Sequence, residues 1–266
     1  GTQALTGGAD GTARLWDMVS GAEVRTFSGH AAGILAVAFS PDGSYVLTGS
    51  QDTTAKLWDA ANGREVRTFS GNAGDISGVA FSADGGFVLT AGADGKVKLM
   101  ETASGNLVRT FAGEAGVFDA RFSPDGKHVL TGSADGTVSL WDSASGAQLR
   151  TFSGTTNSVY NVAFSADGRY VAASSADRTA IIWETGTGAV VRVLRGHDAA
   201  VWGIAFSPDG RFVLTSSLDH TVGLWHTDYH DFVESVCARL LRDFTDQERE
   251  LVPITDEEPT CPRFTR

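Results

Sequence analysis

The chain has 266 residues, 42% of them hydrophobic, with 32 glycines, two cysteines and a formal charge of −11. That length supports a large core, and the composition without a long apolar run excludes a disordered chain and a membrane span. Two cysteines exclude a disulfide scaffold, and the acidic balance argues against a nucleic-acid backbone as partner.

No charged-then-apolar leader precedes a small-residue cleavage site, so no secretory signal is read and a cytoplasmic location is expected. The chain begins without Met, inside a repeating unit: Gln3-Ala4-Leu5-Thr6-Gly7-Gly8 has the pattern of a later segment, Tyr45-Val46-Leu47-Thr48-Gly49-Ser50. An apolar-Trp-acid end follows as Leu15-Trp16-Asp17 and recurs as Leu57-Trp58-Asp59, Leu140-Trp141-Asp142 and Ile182-Trp183-Glu184. Leu99-Met100-Glu101 and Leu224-Trp225-His226 hold the same place in altered form. Successive positions 16, 58, 100, 141, 183 and 225 are spaced by 42, 42, 41, 42 and 42 residues.

Within each unit the segments read as strands. Val159-Tyr160-Asn161-Val162-Ala163-Phe164 is short, β-branched and aromatic, and Ser165-Ala166-Asp167-Gly168 closes it as a turn. Ser40-Pro41-Asp42-Gly43, Ser123-Pro124-Asp125-Gly126 and Ser207-Pro208-Asp209-Gly210 repeat that turn, with proline presetting φ and Asp and Gly completing it. A second strand then turns at Asp10, Asp52, Asp94, Asp135, Asp177 or Asp219, a third ends at the Trp, and a fourth is exemplified by Glu65–Ser70. A period of roughly 40–45 residues ending in this dipeptide is the signature of four-stranded propeller blades.

Turn, Asp, Trp and period together resemble the WD-repeat β-propeller family over Gly1 to Trp225. The resemblance implies an all-β propeller of about six blades at 1–227, the first and last incomplete, followed by a tail at 228–266. The first unit lacks an innermost strand and the last lacks an outer one. An open propeller exposes strand edges, so the chain is expected to be a fragment. About 20 further upstream residues would complete six blades, and about 60 would complete seven.

Blade six carries His197, Ser217, Asp219 and Trp225, the residue types of a hydrolytic triad with an aromatic neighbour. Blade two carries His30, Ser50, Asp52 and Trp58 at the same offsets, which argues for a structural task shared by blades. The family resemblance implies a hydrogen-bond chain through these positions, pinning the inner loop to the second and third strands. Asn72, Glu114 and Thr155 replace the His elsewhere, while Gly92 replaces the Ser and Met100 the Trp of blade three. Blade three is therefore expected to be the least well pinned. No nucleophile elbow supports catalysis, and Gly132-Ser133-Ala134-Asp135-Gly136 lacks the Gly-Lys-Ser/Thr of a phosphate loop. His226 and His230 have i, i+4 spacing but no third ligand, so neither a metal nor another cofactor is expected.

The residue just inside the first strand is Leu35, Ser77, Phe118, Tyr160 or Trp202 in blades two to six. The resemblance places this position on the top face around the central channel, making Phe118, Tyr160 and Trp202 an aromatic arc. The residue before each turn Asp is mostly small, as in Gln51, Ala93, Ala134 and Ala176, ending with Leu218. Asp75 and Asp198 are expected to form an acidic rim on that side. Exposed aromatics are common anchors of protein recognition, whereas packing between blades would hide them. The expected partner-binding set is Leu35, Asp75, Phe118, Tyr160, Asp198, Trp202 and Leu218.

From Asp228 the repeat stops, and the tail carries ten acids against five bases, with both cysteines, Cys237 and Cys261. Asp231 with Glu234, followed by Phe232/Val233, Val236/Cys237, Leu240/Leu241 and Phe244, predicts a helix, and Thr245 with Glu248 a second start. Pro253, Pro259 and Pro262 predict an irregular end. Cys237-Ala238-Arg239-Leu240, Phe244-Thr245-Asp246-Gln247-Glu248 and Pro259-Thr260-Cys261-Pro262 resemble the tail of bacterial multidomain WD-repeat proteins, although Arg249 stands where an aromatic is common. That likeness implies an upstream NTPase, protease-like or kinase module. The physical role expected of the tail is a helical cap on the last blade. The combined expectation is a non-catalytic sensor or scaffold domain that captures a protein or peptide and has no membrane partner. The alternatives are a self-assembly module or an enzyme with a site in the channel.

Overall fold

The computed structural model describes residues 2–113 and 115–227. Glu114, His230, both cysteines and the helices expected at 228–266 lie outside the described residues. The elements are strands β1 (Gln3–Gly7), β2 (Thr12–Asp17) and β3 (Glu23–Ser28); β4 (Ile34–Phe39), β5 (Tyr45–Ser50), β6 (Ala55–Asp59) and β7 (Glu65–Phe69); and β8 (Ile76–Phe81), β9 (Phe87–Gly92), β10 (Lys96–Glu101) and β11 (Leu107–Ala112). They continue as β12 (Val117–Phe122), β13 (His128–Ser133), β14 (Val138–Asp142) and β15 (Gln148–Phe152); β16 (Val159–Phe164), β17 (Tyr170–Ser175), β18 (Ala180–Glu184) and β19 (Val190–Leu194); and β20 (Val201–Phe206), β21 (Phe212–Ser217) and β22 (Val222–His226). These groups form six antiparallel sheets, four of four strands and, at either end of the described chain, two of three. The sheets are blades, and each first strand packs against the first strand of the next, from β4·β8 through β16·β20.

Each hairpin is set by local chemistry. In the Ser40–Gly43 turn the Ser40 hydroxyl donates to Asp42 Oδ1 at 2.6 Å, and the same carboxylate accepts the Ser44 N–H. Those two donors lower the Asp42 carboxyl to about 2. Gly43 closes the turn at φ 73°, a conformation that a Cβ disfavours.

Blades fit together through a small residue near the end of each second strand. A Cβ on Gly49 would stand 2.7 Å from Ile76 Cγ2, and one on Gly132 would stand 2.5 Å from Val159 Cγ1. Blade three has Ala91 there, and the opposing residue shrinks to Ala120 where its counterparts are Val79 and Val162. Volume is thereby conserved across the junction, which close-packed interiors demand. Further out, an outer-strand Phe packs on the Trp of the next blade, with centroids 6.0 Å apart for Phe27–Trp58 and 5.6 Å for Phe152–Trp183. Met100 takes the Trp place in blade three, clusters with Phe69 and stays 3% exposed. The gap that the altered motif threatens is therefore filled.

Outer-strand arginines make a third set of contacts. Arg67 donates to the carbonyls of Ser104 and Ala103, and Arg150 to those of Thr187 and Gly186, each reaching a turn of the following blade. Arg109 does the same at Ser145, with Nη1 2.7 Å from the carbonyl oxygen.

Because Val159 and Val162 are β-branched and cannot swing aside, overpacking at this junction is costly. Gly132→Ala is expected to destabilise the fold by about 1–3 kcal/mol. Urea denaturation followed by tryptophan fluorescence measures it.

Candidate functional site

The pinning network forms in blades two and six, but its hydroxyl is not the serine expected. His30 Nδ1 meets Asp52 Oδ2 at 2.7 Å, and its Nε2 meets Thr48 Oγ1 at 2.7 Å. Trp58 Nε1 donates to that same Thr48 oxygen at 2.9 Å. Ser50 instead donates to the Gly33 carbonyl at 2.9 Å and accepts the Asp52 N–H. His197, Asp219, Thr215 and Trp225 repeat the arrangement with contacts of 2.8 Å, and Ser217 binds the Ala199 carbonyl. The cause is geometric: Thr48 and Thr215 lie two residues before the serines, diagonal to the Trp across the ladder. Sequence carried the signal, since Thr6, Thr48, Thr90, Thr131 and Thr215 recur at that position.

Blade three keeps more of the network than expected. The Thr90 hydroxyl donates to Asn72 Oδ1 at 3.0 Å, and Asn72 donates to Asp94 at 3.5 Å. In blade five Ala173 replaces the threonine, and Trp183 Nε1 turns to the Ser153 carbonyl at 2.9 Å. There Asp177 holds the inner loop directly through Thr156, taking both its N–H and its hydroxyl.

The blade-two groups are sealed from substrate, while Ser217 and Asp219 of blade six are half-buried. The His30 side chain is 0% exposed, and Thr48 and Ser50 are fully buried. The hydroxyl facing the histidine is thus shut between an imidazole and an indole. Burial pushes the Asp52 carboxyl up, but hydrogen bonds from Thr54, the Ala31 N–H and His30 outweigh it and hold the group well below its ordinary 3.8. Among the described residues, no group of three or more His, Cys, Asp or Glu side chains is placed to hold a metal.

The top-face residues are positioned by a repeated irregularity of the backbone. Each first strand slips register around one residue: between Ile34 and Ala36, Ile76 and Gly78, Val117 and Asp119, Val159 and Asn161, and Val201 and Gly203. The residues passed over are Leu35, Ser77, Phe118, Tyr160 and Trp202. A bulge of this kind removes a residue from the ladder and re-aims its side chain. The five side chains accordingly line one cavity of about 460 Å³.

Phe118 and Tyr160 meet at 5.5 Å with their rings tilted, and Tyr160 stacks on Trp202 at 4.9 Å and 17°. Trp202 remains 52% exposed and Leu35 48% exposed. Asp75, Asp198 and Leu218 do not join that lining: Asp75 is half-buried, Asp198 is exposed, and Leu218 is exposed beyond its backbone bond to Ala200. Missing from the sequence reading are Asp119, Arg121 and Asn161, which line the cavity just inside the bulges. Sequence carried a signal here too: Asp119 and Asn161 stand where Ala36, Gly78 and Gly203 are small, and Arg121 stands where Ala38, Ala80, Ala163 and Ala205 recur.

Comparison with known proteins agrees with the architecture. Segments 1–17, 21–59, 63–100, 105–142, 146–184 and 188–226 each match the family described as WD domain, G-beta repeat. The chain belongs to that WD-repeat family. Transcription initiation factor TFIID subunit 5 of Caenorhabditis elegans is 54% identical over 43 residues, which are 16% of this chain and 7% of that protein. Ribosome assembly protein 4 of Chaetomium thermophilum is 49% identical over 41 residues, 15% of this chain and 8% of that protein. The likeness thus spans about one WD repeat, less than a tenth of either relative. Among the described residues of this WD-repeat chain, no helix is long and apolar enough to cross a membrane.

Thr48→Val keeps the shape of the side chain but strands the Trp58 N–H and a His30 nitrogen in the interior. It is expected to cost about 1–3 kcal/mol in urea unfolding.

A carboxyl depressed on folding contributes stability above its unfolded pKa, and that stability is lost as pH falls toward the folded value. Asp52→Asn is expected to be less stable than wild type at pH 7 and to lose less further stability below about pH 4. Urea midpoints measured across this range supply the check.

Proposed function

We propose that this WD-repeat chain is a non-catalytic interaction domain that captures a protein or peptide segment at the mouth of its channel. The observation that carries this reading is the bulge-mounted aromatic stack, with Trp202 half exposed above a cavity wide enough for a side chain. Aromatic side chains held rigidly at a surface depression are the usual anchors of recognition, since burying them costs little conformational entropy. The family and the names of the two relatives, a transcription factor subunit and an assembly protein, also favour a scaffolding role over catalysis. The tail's likeness to bacterial multidomain proteins supports placing the domain in a longer signalling chain with an upstream NTPase, protease-like or kinase module.

A self-assembly role is the second reading. It is favoured by the apolar face of blade six, where, among the described residues, Leu214, Val222 and Leu224 are 47%, 65% and 67% exposed. Their blade-two counterparts Leu47, Ala55 and Leu57 are buried at 0%, 0% and 2%.

Selection of displayed peptides on the full chain, counter-screened on Tyr160→Ala and Trp202→Ala, separates the readings. Capture is expected to be lost in both variants, while stability falls by about 0.5–1.5 kcal/mol, the scale of a lost ring contact. A large fall in stability would instead make the aromatics part of the core. Concentration-dependent oligomers in light scattering, abolished by Leu224→Lys, would favour assembly.

A further inference from the structure

We propose that the channel-mouth cavity recognises an acidic peptide segment, in which an aromatic or aliphatic side chain lies on Trp202 and an adjoining Glu or Asp carboxylate binds Arg121. The proposal rests on the channel-mouth reading above and adds the chemistry of the partner.

Part of the hydrogen-bonding capacity in the cavity is already used within the protein. Asp119 and Arg121 are the charged residues that line it. Asp119 is 3% exposed, and its Oδ2 accepts Asn161 Nδ2 at 2.6 Å, the Val162 N–H at 3.1 Å and Arg121 Nε at 3.1 Å. Asn161 is committed in turn, because its Oδ1 accepts the Ile204 N–H at 3.1 Å. This chain ties the inner strands of blades four, five and six together through Oδ2 of a carboxylate that burial, at 3% exposed, keeps from a ligand.

Arg121 is in the opposite condition. Only its Nε is engaged; among the described residues its two terminal amino groups meet no acceptor, and the side chain is 39% exposed. The bond to Asp119 is made two residues back along the strand, and Arg121 lines the same cavity as the aromatic arc. The free polar capacity of the cavity is therefore a planar pair of cationic donors beside an apolar platform. A guanidinium in that state matches a carboxylate, and it repels a Lys or Arg side chain that would otherwise stack on Trp202.

The chain's charge of −11 opposes an acidic ligand at long range. Screening confines that opposition, since the Debye length is about 8 Å at physiological ionic strength. At contact distance the guanidinium decides.

Calorimetric titration of the full chain with three N-acetylated, C-amidated peptides, Gly-Ser-Phe-X-Ser-Gly with X as Glu, Gln or Lys, tests the proposal. The Glu peptide is expected to bind about tenfold more tightly than the Gln peptide, the scale of one charge-assisted hydrogen bond, with the Lys peptide weakest. Arg121→Gln should equalise Glu and Gln, Arg121→Lys should restore part of the preference, and Trp202→Ala should weaken all three. Equal affinities, or a Lys preference, with Trp202 still required would overturn the acidic-peptide assignment and leave the channel-mouth reading standing. A free-acid Gly-Ser-Phe peptide binding more tightly than the amidated Glu peptide would also overturn it, in favour of a chain end. Failure of all three peptides to bind, or binding indifferent to Trp202→Ala, would overturn both readings.

Discussion

Everything in this molecule hangs on how closely one blade approaches the next. A residue with little or no side chain near the end of each second strand admits a β-branched side chain from the following first strand, and that fit sets the spacing of the inner strands. Where the small residue grows to Ala91, the facing residue contracts to Ala120, so the spacing survives. Dispersion falls off steeply with distance, and a junction loosened by a fraction of an ångström loses much of its attraction. The Phe–Trp contacts and the arginine clasps sit farther out and reinforce a separation already fixed at the channel.

Because the inner strands are held at a set spacing, the bulged residues of neighbouring blades come within ring-stacking distance. Tyr160 and Trp202 belong to different blades and are 42 positions apart in sequence, yet their rings stack at 4.9 Å. The Asp119–Asn161 chain supplements this by crossing two blade junctions with backbone N–H groups as its end points. Packing and polar bonding thus cooperate on one outcome, a rigid rim around the channel. The His–Asp–Thr–Trp networks act elsewhere, on the loops that enter the first strands, and among the described residues their full form appears only in blades two and six.

The repeat made most of the fold legible. Position 100 lacks its Trp, yet the period around it and the Phe69 partner place Met100 without ambiguity. Which hydroxyl faces which ring was written only in the recurrence of the threonine at the Thr48 position. Thr48 and Ser50 are two residues apart in one strand, and only the register against Trp58 separates their tasks. The same limit applies to the cavity. Phe118, Tyr160 and Trp202 stood out by alignment, but the bulge that turns them outward is a property of strand pairing, invisible in composition. Asp75 and Asp198 looked equally suited to a rim, and neither lines the cavity.

The bulge also has a consequence for how such a surface changes over time. It takes one residue per blade out of the hydrogen-bonded ladder, so the identity of that residue is nearly uncoupled from the strand that carries it. Leu35, Ser77, Phe118, Tyr160 and Trp202 are already five different solutions on one unvarying support. Each site can be rewritten without repacking the strand beneath it, and a new specificity needs no new fold. The rim behaves as a short address written in five characters, and a lineage can edit it one character at a time.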